Sequence, residues 1–205
     1  MSRYSALVWV LAVAMPLCGQ TSSASKPAPP ATAAVEPGEI SAGVYHNPSF
    51  GFTYKLPYGW VDRTSEMREA STDPAKSMVL LEVFQRPPEA TGSTVNSAVV
   101  IAAESISSYP GLKDAAQYFG PLGEITTTNG LAAVNEPYEF PVDAKPIVRR
   151  DFIKQLAVGS MHQSTLAWLA RGYVVSFTFI ASNDDEVTEL LESLTFGKKA
   201  AVGRK

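Results

Sequence analysis

General-base catalysis and soft-metal binding draw first on histidine and cysteine, and this 205-residue sequence holds two histidines, His46 and His162, and one cysteine, Cys18. A nucleophile needs a base within reach, and the base needs a carboxylate to orient it. Cys18 lies in the apolar N-terminal stretch, and no Gly-x-Ser-x-Gly occurs. His162 opens a strand and His46 sits in a turn, where they read as a cross-strand polar partner and a turn residue. The catalytic alternative left open is an envelope enzyme using a carboxylate pair, or a hydrolase using His162 with a carboxylate. A structural zinc needs three or four close ligands, and two histidines more than a hundred residues apart do not supply them. Gly-x-Gly-x-x-Gly and Walker patterns are missing, which argues against a phosphate cradle.

Other side chains carry chemistry of recognition. Asp184-Asp185-Glu186 would suit a hard cation such as calcium, but no calcium-loop spacing surrounds them, and acids are favoured in a first helical turn by the helix dipole. Arg149-Arg150 is the densest basic pair outside the tail. Alternation along a strand sends the two to opposite faces, leaving one to dock an anionic partner or to stand as a solvated edge charge. Tyr45, Tyr54, Tyr58, Trp60 and Tyr138 fall near turns, as aromatics of a ligand groove or partner patch do; Trp60 reads as a plug for the end of the core. The candidate partner surface is Tyr45, His46, Tyr58, Tyr138 and Arg149. No cofactor is implied. The net charge of -3, with 17 basic and 20 acidic residues spread along the chain, gives no footprint for nucleic acid.

These residues must be positioned by a fold, and the N-terminus is not part of it. Arg3 and the apolar run Ala6 to Ala14, ended by Pro16, have the form of a secretory signal over residues 1–24, too short for the ~20 residues of a membrane span. Two processing routes are open: cleavage after Ser22-Ser23-Ala24, or lipidation of Cys18, whose preceding Leu17 departs from the usual small residue. No transmembrane helix is expected in the mature form. Residues 25–43 are a Pro/Ala/Ser-rich linker without periodic apolar pattern, expected to be disordered.

The folded domain is placed at 44–197. Phe50, Phe52, Tyr54 and Leu56 alternate with Gly51, Thr53 and Lys55, a strand with one buried face, preceded by a short strand at Val44-Tyr45. Asp62 to Lys76 is a loop or ragged helix. Met78 to Phe84 reads as a central strand, paired with the run Ser97 to Ile106. Leu112 to Phe119 has helical spacing, ended by Gly120-Pro121; Ile125 to Thr128, Asn129-Gly130 and Leu131 to Val134 read as a hairpin on a type I′ turn. Ile147 to Val158, His162 to Ala170 and Tyr173 to Ala181 form a meander whose last strand is covered on both faces. Asn183 caps a final helix, with Glu186 placed to complete a capping box, and Val187, Leu190, Leu191 and Leu194 as its buried stripe. Phe196 anchors the end, and residues 198–205 are a basic, flexible tail. With one cysteine the domain forms no internal disulfide and rests on its core.

The pattern Asn-Pro-x-Phe-Gly-Phe-x-Tyr-x-Leu-Pro-x-Gly-Trp at Asn47 to Trp60, the run Thr128-Asn129-Gly130-Leu131-Ala132, and two closing strands followed by a helix ending in Leu194-Thr195-Phe196 resemble the PsbP-like superfamily, which includes DcrB-type exported bacterial proteins. The resemblance implies an α+β fold: an α/β/α sandwich with a mainly antiparallel central sheet. It implies a non-enzymatic binding or assembly protein, and it carries over no metal or partner residue. With the export signal, the expectation is a periplasmic, extracellular or lipid-tethered module of the bacterial cell envelope that scaffolds a protein partner. A small-ligand or cation-binding envelope protein is the alternative.

Overall fold

The computed structural model describes residues 35–197 except 71, 72, 74, 75, 91 and 93. The expected export signal with Cys18, the first part of the expected linker and the expected 198–205 tail lie outside the described residues. In chain order the elements are β1 (Glu39–Ser41), β2 (Val44–Asn47), β3 (Phe52–Lys55), β4 (Val61–Asp62), α1 (Thr64–Glu69), β5 (Ser77–Phe84), β6 (Ala98–Ser105), α2 (Phe119–Thr128), β7 (Ala132–Ala133), β8 (Tyr138–Glu139), β9 (Val148–Gln155), β10 (Ser160–Ala170), β11 (Tyr173–Ala181), α3 (Asp184–Glu192) and β12 (Leu194–Thr195).

The main sheet has the order β4-β5-β6-β11-β10-β9-β7, with β8 also pairing β9, and every pair is antiparallel. A second sheet, β1-β2-β3-β12, lays its inner face on the first: Phe52 meets Phe177 edge-on at 5.0 Å, and Tyr54 lies 6.1 Å from Phe179. Together with α3, this fills one face of the main sheet through Leu81, Ile101, Phe177, Leu191 and Phe196. The opposite face carries a smaller cluster of Tyr118, Phe119, Leu131, Phe152 and Val174. β11 is therefore covered on both sides, Val175, Phe177 and Phe179 packing on one and Val174 on the other. The α+β class with a mainly antiparallel sheet is the one expected.

Four local readings are corrected. Strand β1, placed in the disordered linker, is paired with β2 through Glu39 opposite His46; three exposed residues leave no apolar period to see, and backbone pairing alone orders them. Residues 112–118 are not helical. The helix starts at Phe119 and carries Gly120 and Pro121 in its first turn, where an amide hydrogen has no helical acceptor and proline is tolerated. Ile125 to Thr128 then closes that helix instead of opening a hairpin: Leu131 N–H reaches the Thr126 carbonyl at 3.0 Å, Gly130 N–H that of Thr127 at 2.9 Å, and Gly130 has φ 80°. This is a Schellman end, and Asn-Gly serves it as readily as a type I′ turn. The capping of α3 is also displaced. Asn183 Oδ1 accepts from Glu186 N–H at 2.9 Å, but the Glu186 carboxylate reaches Ser182 N–H (3.1 Å) and Ser97 Oγ (2.6 Å), not the cap residue's own amide.

Two buried polar groups give stability predictions. Tyr54 is fully buried, which pushes its phenol far up, and among the described residues its hydroxyl has no hydrogen-bond partner. An unsatisfied hydroxyl costs about 1 kcal/mol or more, and Tyr54→Phe is expected to raise stability by that amount, read as a higher urea midpoint at unchanged slope; a lowered midpoint would refute this. Glu82 is also buried, and burial raises its carboxyl above the ordinary range. The fold therefore disfavours the ionised form. The resulting penalty is present above the folded-state pKa and fades as pH falls through it toward the unfolded value near ~4.3. Glu82→Gln is expected to be more stable than the parent at pH above the folded value, with the difference closing in acid. Paired denaturation curves at the two pH values check it.

Candidate functional site

The core face of the main sheet turns polar where it reaches β9. Along one cross-strand row the residues are Val83, Val99, Phe179, Ser164 and Asp151. The first three are core. Ser164 is only 1% exposed, so the change to polar residues happens while the row is still buried. Beside this row, His162 lies opposite Ile153, and Arg149 opposite Leu166. Helix α3 passes above and leaves a groove of about 230 Å³ lined by Arg149, Asp151, His162, Ser164, Asp184 and Val187 among others.

Asp151 is the hub. It accepts from Arg149 Nε at 2.8 Å, Asn135 Nδ2 at 2.7 Å and the Tyr138 hydroxyl at 3.0 Å. Burial pushes its carboxyl up, but the hydrogen bonds from Asn135 and Arg149 and the neighbouring Ser164 hydroxyl outweigh this and hold it below its ordinary value. Ser164 is near enough to favour the carboxylate, yet among the described residues its Oγ completes no hydrogen bond. The Arg149 guanidinium lies 4.9 Å from the Phe140 ring and 5.9 Å from Tyr138. With Nε on Asp151 it is held on an edge and a face, and its side chain is 17% exposed.

His162 is held at both nitrogens: Nε2 lies 2.9 Å from Ser160 Oγ, and Nδ1 lies 2.7 Å from Asp184 Oδ1. Ser160 and His162 share a face because strand side chains alternate, and Asp184 arrives as the first residue of α3. The connectivity is that of a nucleophile, base and carboxylate. The groove, however, opens beside His162 and Asp184, and Ser160 is not among its lining residues. Ser160 and Ser164 were not singled out from sequence; the i, i+2 and i+4 spacing of Ser160, His162 and Ser164 was the available signal.

The five residues of the expected partner surface do not form one patch. Arg149 lines the groove just described, and Tyr138 bonds its Asp151 without lining it. Tyr45 is a correction: it is buried in the core, packed 5.8 Å from Phe52, with its hydroxyl donating to the Pro37 carbonyl at 2.5 Å and accepting from Asn47 Nδ2 at 2.9 Å. Burial pushes its phenol up to about 12. Its position on β2 facing Tyr54 across the pair places it on the inner side. His46 is on the opposite, outer side of β2, in a groove of about 620 Å³ with Asn47, Phe52 and Thr53. Tyr58 is fully exposed, at the tip of a turn closed by Trp60 N–H to the Pro57 carbonyl at 3.4 Å. It flanks a third groove, about 780 Å³, with Leu56, Trp60 and Leu190. Trp60 is partly buried against the core, in keeping with its reading as a plug. Arg150 turns to the other face, bonding the Phe119 and Asn135 carbonyls. Among the described residues no group of three or more His, Cys, Asp or Glu is placed to hold a metal ion.

No family model and no curated protein matches the sequence. Solved structures do. The cyanobacterial PsbP of Synechocystis sp. PCC 6803 matches at 14% identity and TM-score 0.49, over 78% of this chain and 96% of that one. The Ran-binding protein Mog1p of Saccharomyces cerevisiae matches at 12% identity and TM-score 0.42, over 71% and 90%. LpqN of Mycobacterium tuberculosis, involved in cell envelope biogenesis, matches at 14% and 0.40, over 70% and 82%. At these identities the likeness concerns the fold alone.

Proposed function

We propose that the protein is a non-enzymatic, exported binding or assembly module of the bacterial cell envelope that holds a protein partner. The observation that carries this reading is Tyr58: a whole aromatic side chain in solvent, on a hydrogen-bonded turn, at the edge of the groove lined by Leu56, Trp60 and Leu190. An exposed aromatic on a hydrogen-bonded turn next to an apolar wall has the character of an interface anchor. Export rests on Arg3 and the Ala6 to Ala14 run. Among the described residues no helix is long and apolar enough to cross a membrane. The Ser160, His162 and Asp184 chain is assigned to positioning: it fixes the His162 ring between β10 and α3.

A photo-crosslinking residue at position 58, expressed in the native host, is expected to capture one envelope protein, and Tyr58→Ala to weaken that complex by about 2 kcal/mol. A capture pattern identical to that of a crosslinker at Glu192 would overturn the reading. Small-ligand binding is a second reading, favoured by the Arg149 and Ser164 groove. There a guanidinium edge and a buried hydroxyl stand without protein partners among the described residues.

A further inference from the structure

We propose that the groove between β9, β10 and α3 binds an amino-acid-sized zwitterion, with its carboxylate on Arg149 and Ser164 and its ammonium on Asp184. The proposal rests on the small-ligand reading and names the ligand class.

Three features of the groove point to this class. Arg149 is fixed by Asp151 at Nε and by the rings of Phe140 and Tyr138 on its face, and among the described residues its two terminal nitrogens have no hydrogen-bond partner. A guanidinium so held is a ready fork for a carboxylate, with no side-chain entropy left to lose. Ser164, 1% exposed, brings to the same groove a hydroxyl that stands beside the Asp151 carboxylate and completes no hydrogen bond among the described residues. Burying a donor unpaired is unfavourable, and an acceptor entering the groove relieves it. On the other wall Asp184 gives only Oδ1 to His162; its Oδ2 has no partner among the described residues, and its side chain, 87% exposed, forms the rim.

Charge selects among ligands that offer a carboxylate. Asp151 and Asp184 face the groove against the single permanent cation Arg149, with His162 between them. A bare anion would enter against a surplus of carboxylates. A zwitterion adds no net charge and gives Asp184 a cation. The volume of about 230 Å³ is below the ~300–1,000 Å³ typical for drug-sized ligands, and suits one small residue better than a peptide.

The test is thermal shift and calorimetric titration of the full exported protein with glycine, L-alanine and L-serine, against acetate, methylammonium and L-alanine amide. Saturable stabilisation by the amino acids, absent with the three analogues, is expected at ~10 mM ligand. Ser164→Ala, which removes an unpaired hydroxyl and so keeps the fold, should weaken binding roughly tenfold. Arg149→Lys should weaken it by more, with the circular dichroism spectrum unchanged, and Asp184→Asn should narrow the preference over acetate. Equal binding of acetate, or amino-acid binding untouched by Ser164→Ala and Arg149→Lys, overturns the zwitterion assignment. A mixed metabolite library run in parallel separates the two levels. An Arg149-dependent hit of another class overturns this proposal and keeps the small-ligand reading, and no Arg149-dependent hit overturns both.

Discussion

Truncation of Phe177 to alanine is expected to lower stability by about 4 kcal/mol. Phe177 is fully buried in β11, in a cross-strand row with Leu81, Ile101 and Leu166, all with no exposed surface. Above that row it meets Phe52 edge-on at 5.0 Å and Phe196 at 5.9 Å. Phe52 is on β3 and Phe196 follows β12, so this one ring joins the two sheets. The cavity left by truncation would be bounded below by hydrogen-bonded strands that cannot close in, which places the cost toward the upper end for a buried aromatic. The melting temperature should fall by roughly 10 °C, whereas Phe177→Leu, which keeps most of the volume, should cost about 1.5 kcal/mol. A loss below about 1 kcal/mol for alanine, read from urea unfolding, would mean that the sheets are not held together by this contact.

Gly38→Ala is expected to cost about 3 kcal/mol. Gly38 has φ 77°, and a Cβ there would stand 2.5 Å from the His46 carbonyl oxygen and 2.6 Å from the Tyr45 hydroxyl. The backbone next to it is a junction: the Pro37 carbonyl accepts from the Tyr45 hydroxyl at 2.5 Å and from Arg68 Nη2 at 3.2 Å. Arg68 in turn bonds the Val79 and Leu80 carbonyls, at the irregularity in β5. A methyl group at position 38 would push β1 from β2 and draw the Tyr45 hydroxyl off its acceptor. Gly43 separates strain from clash: its φ is 73°, but a Cβ there meets nothing within 4 Å. Gly43→Ala should cost only about 1 kcal/mol. Denaturant midpoints of the two variants, with hydrogen exchange at Tyr45 and His46, check the difference. Equal costs would show that the close approach at Gly38 is easily relaxed.

The elements legible in advance were those whose signal is local. The alternation Phe50, Phe52, Tyr54 was correctly read as a buried face, and the meander of β9, β10 and β11 turns where Arg171-Gly172 indicated. The cap at Asn183 and the stripe Val187, Leu190, Leu191 follow from helix geometry alone. Failures came where one local pattern has two solutions. Asn129-Gly130 fits a helix end and a hairpin equally, and only the burial of Leu131 and Phe119 against Phe152 selects the helix. Tyr45 adjoins a turn, as interface aromatics do, but its facing position against Tyr54 takes it inside.

The candidate site was partly legible. Tyr138, Arg149 and His162 had each been marked, for separate reasons, and Ser164 had not. What connects them is the pairing of β9 with β10 and the arrival of α3 above the pair. Taken alone, the sequence determined the faces of the longer strands and the capped final helix, because those depend on period and turn chemistry within a few residues. The tertiary structure decided the partition into two sheets, the inward turn of Tyr45, and the meeting of Arg149, Ser164, His162 and Asp184 in one groove. Those depend on which strands pair across long stretches of chain, and that choice is made by the packing of Phe52, Phe177 and Phe196, whose residues lie far apart in sequence and meet only when the whole core closes.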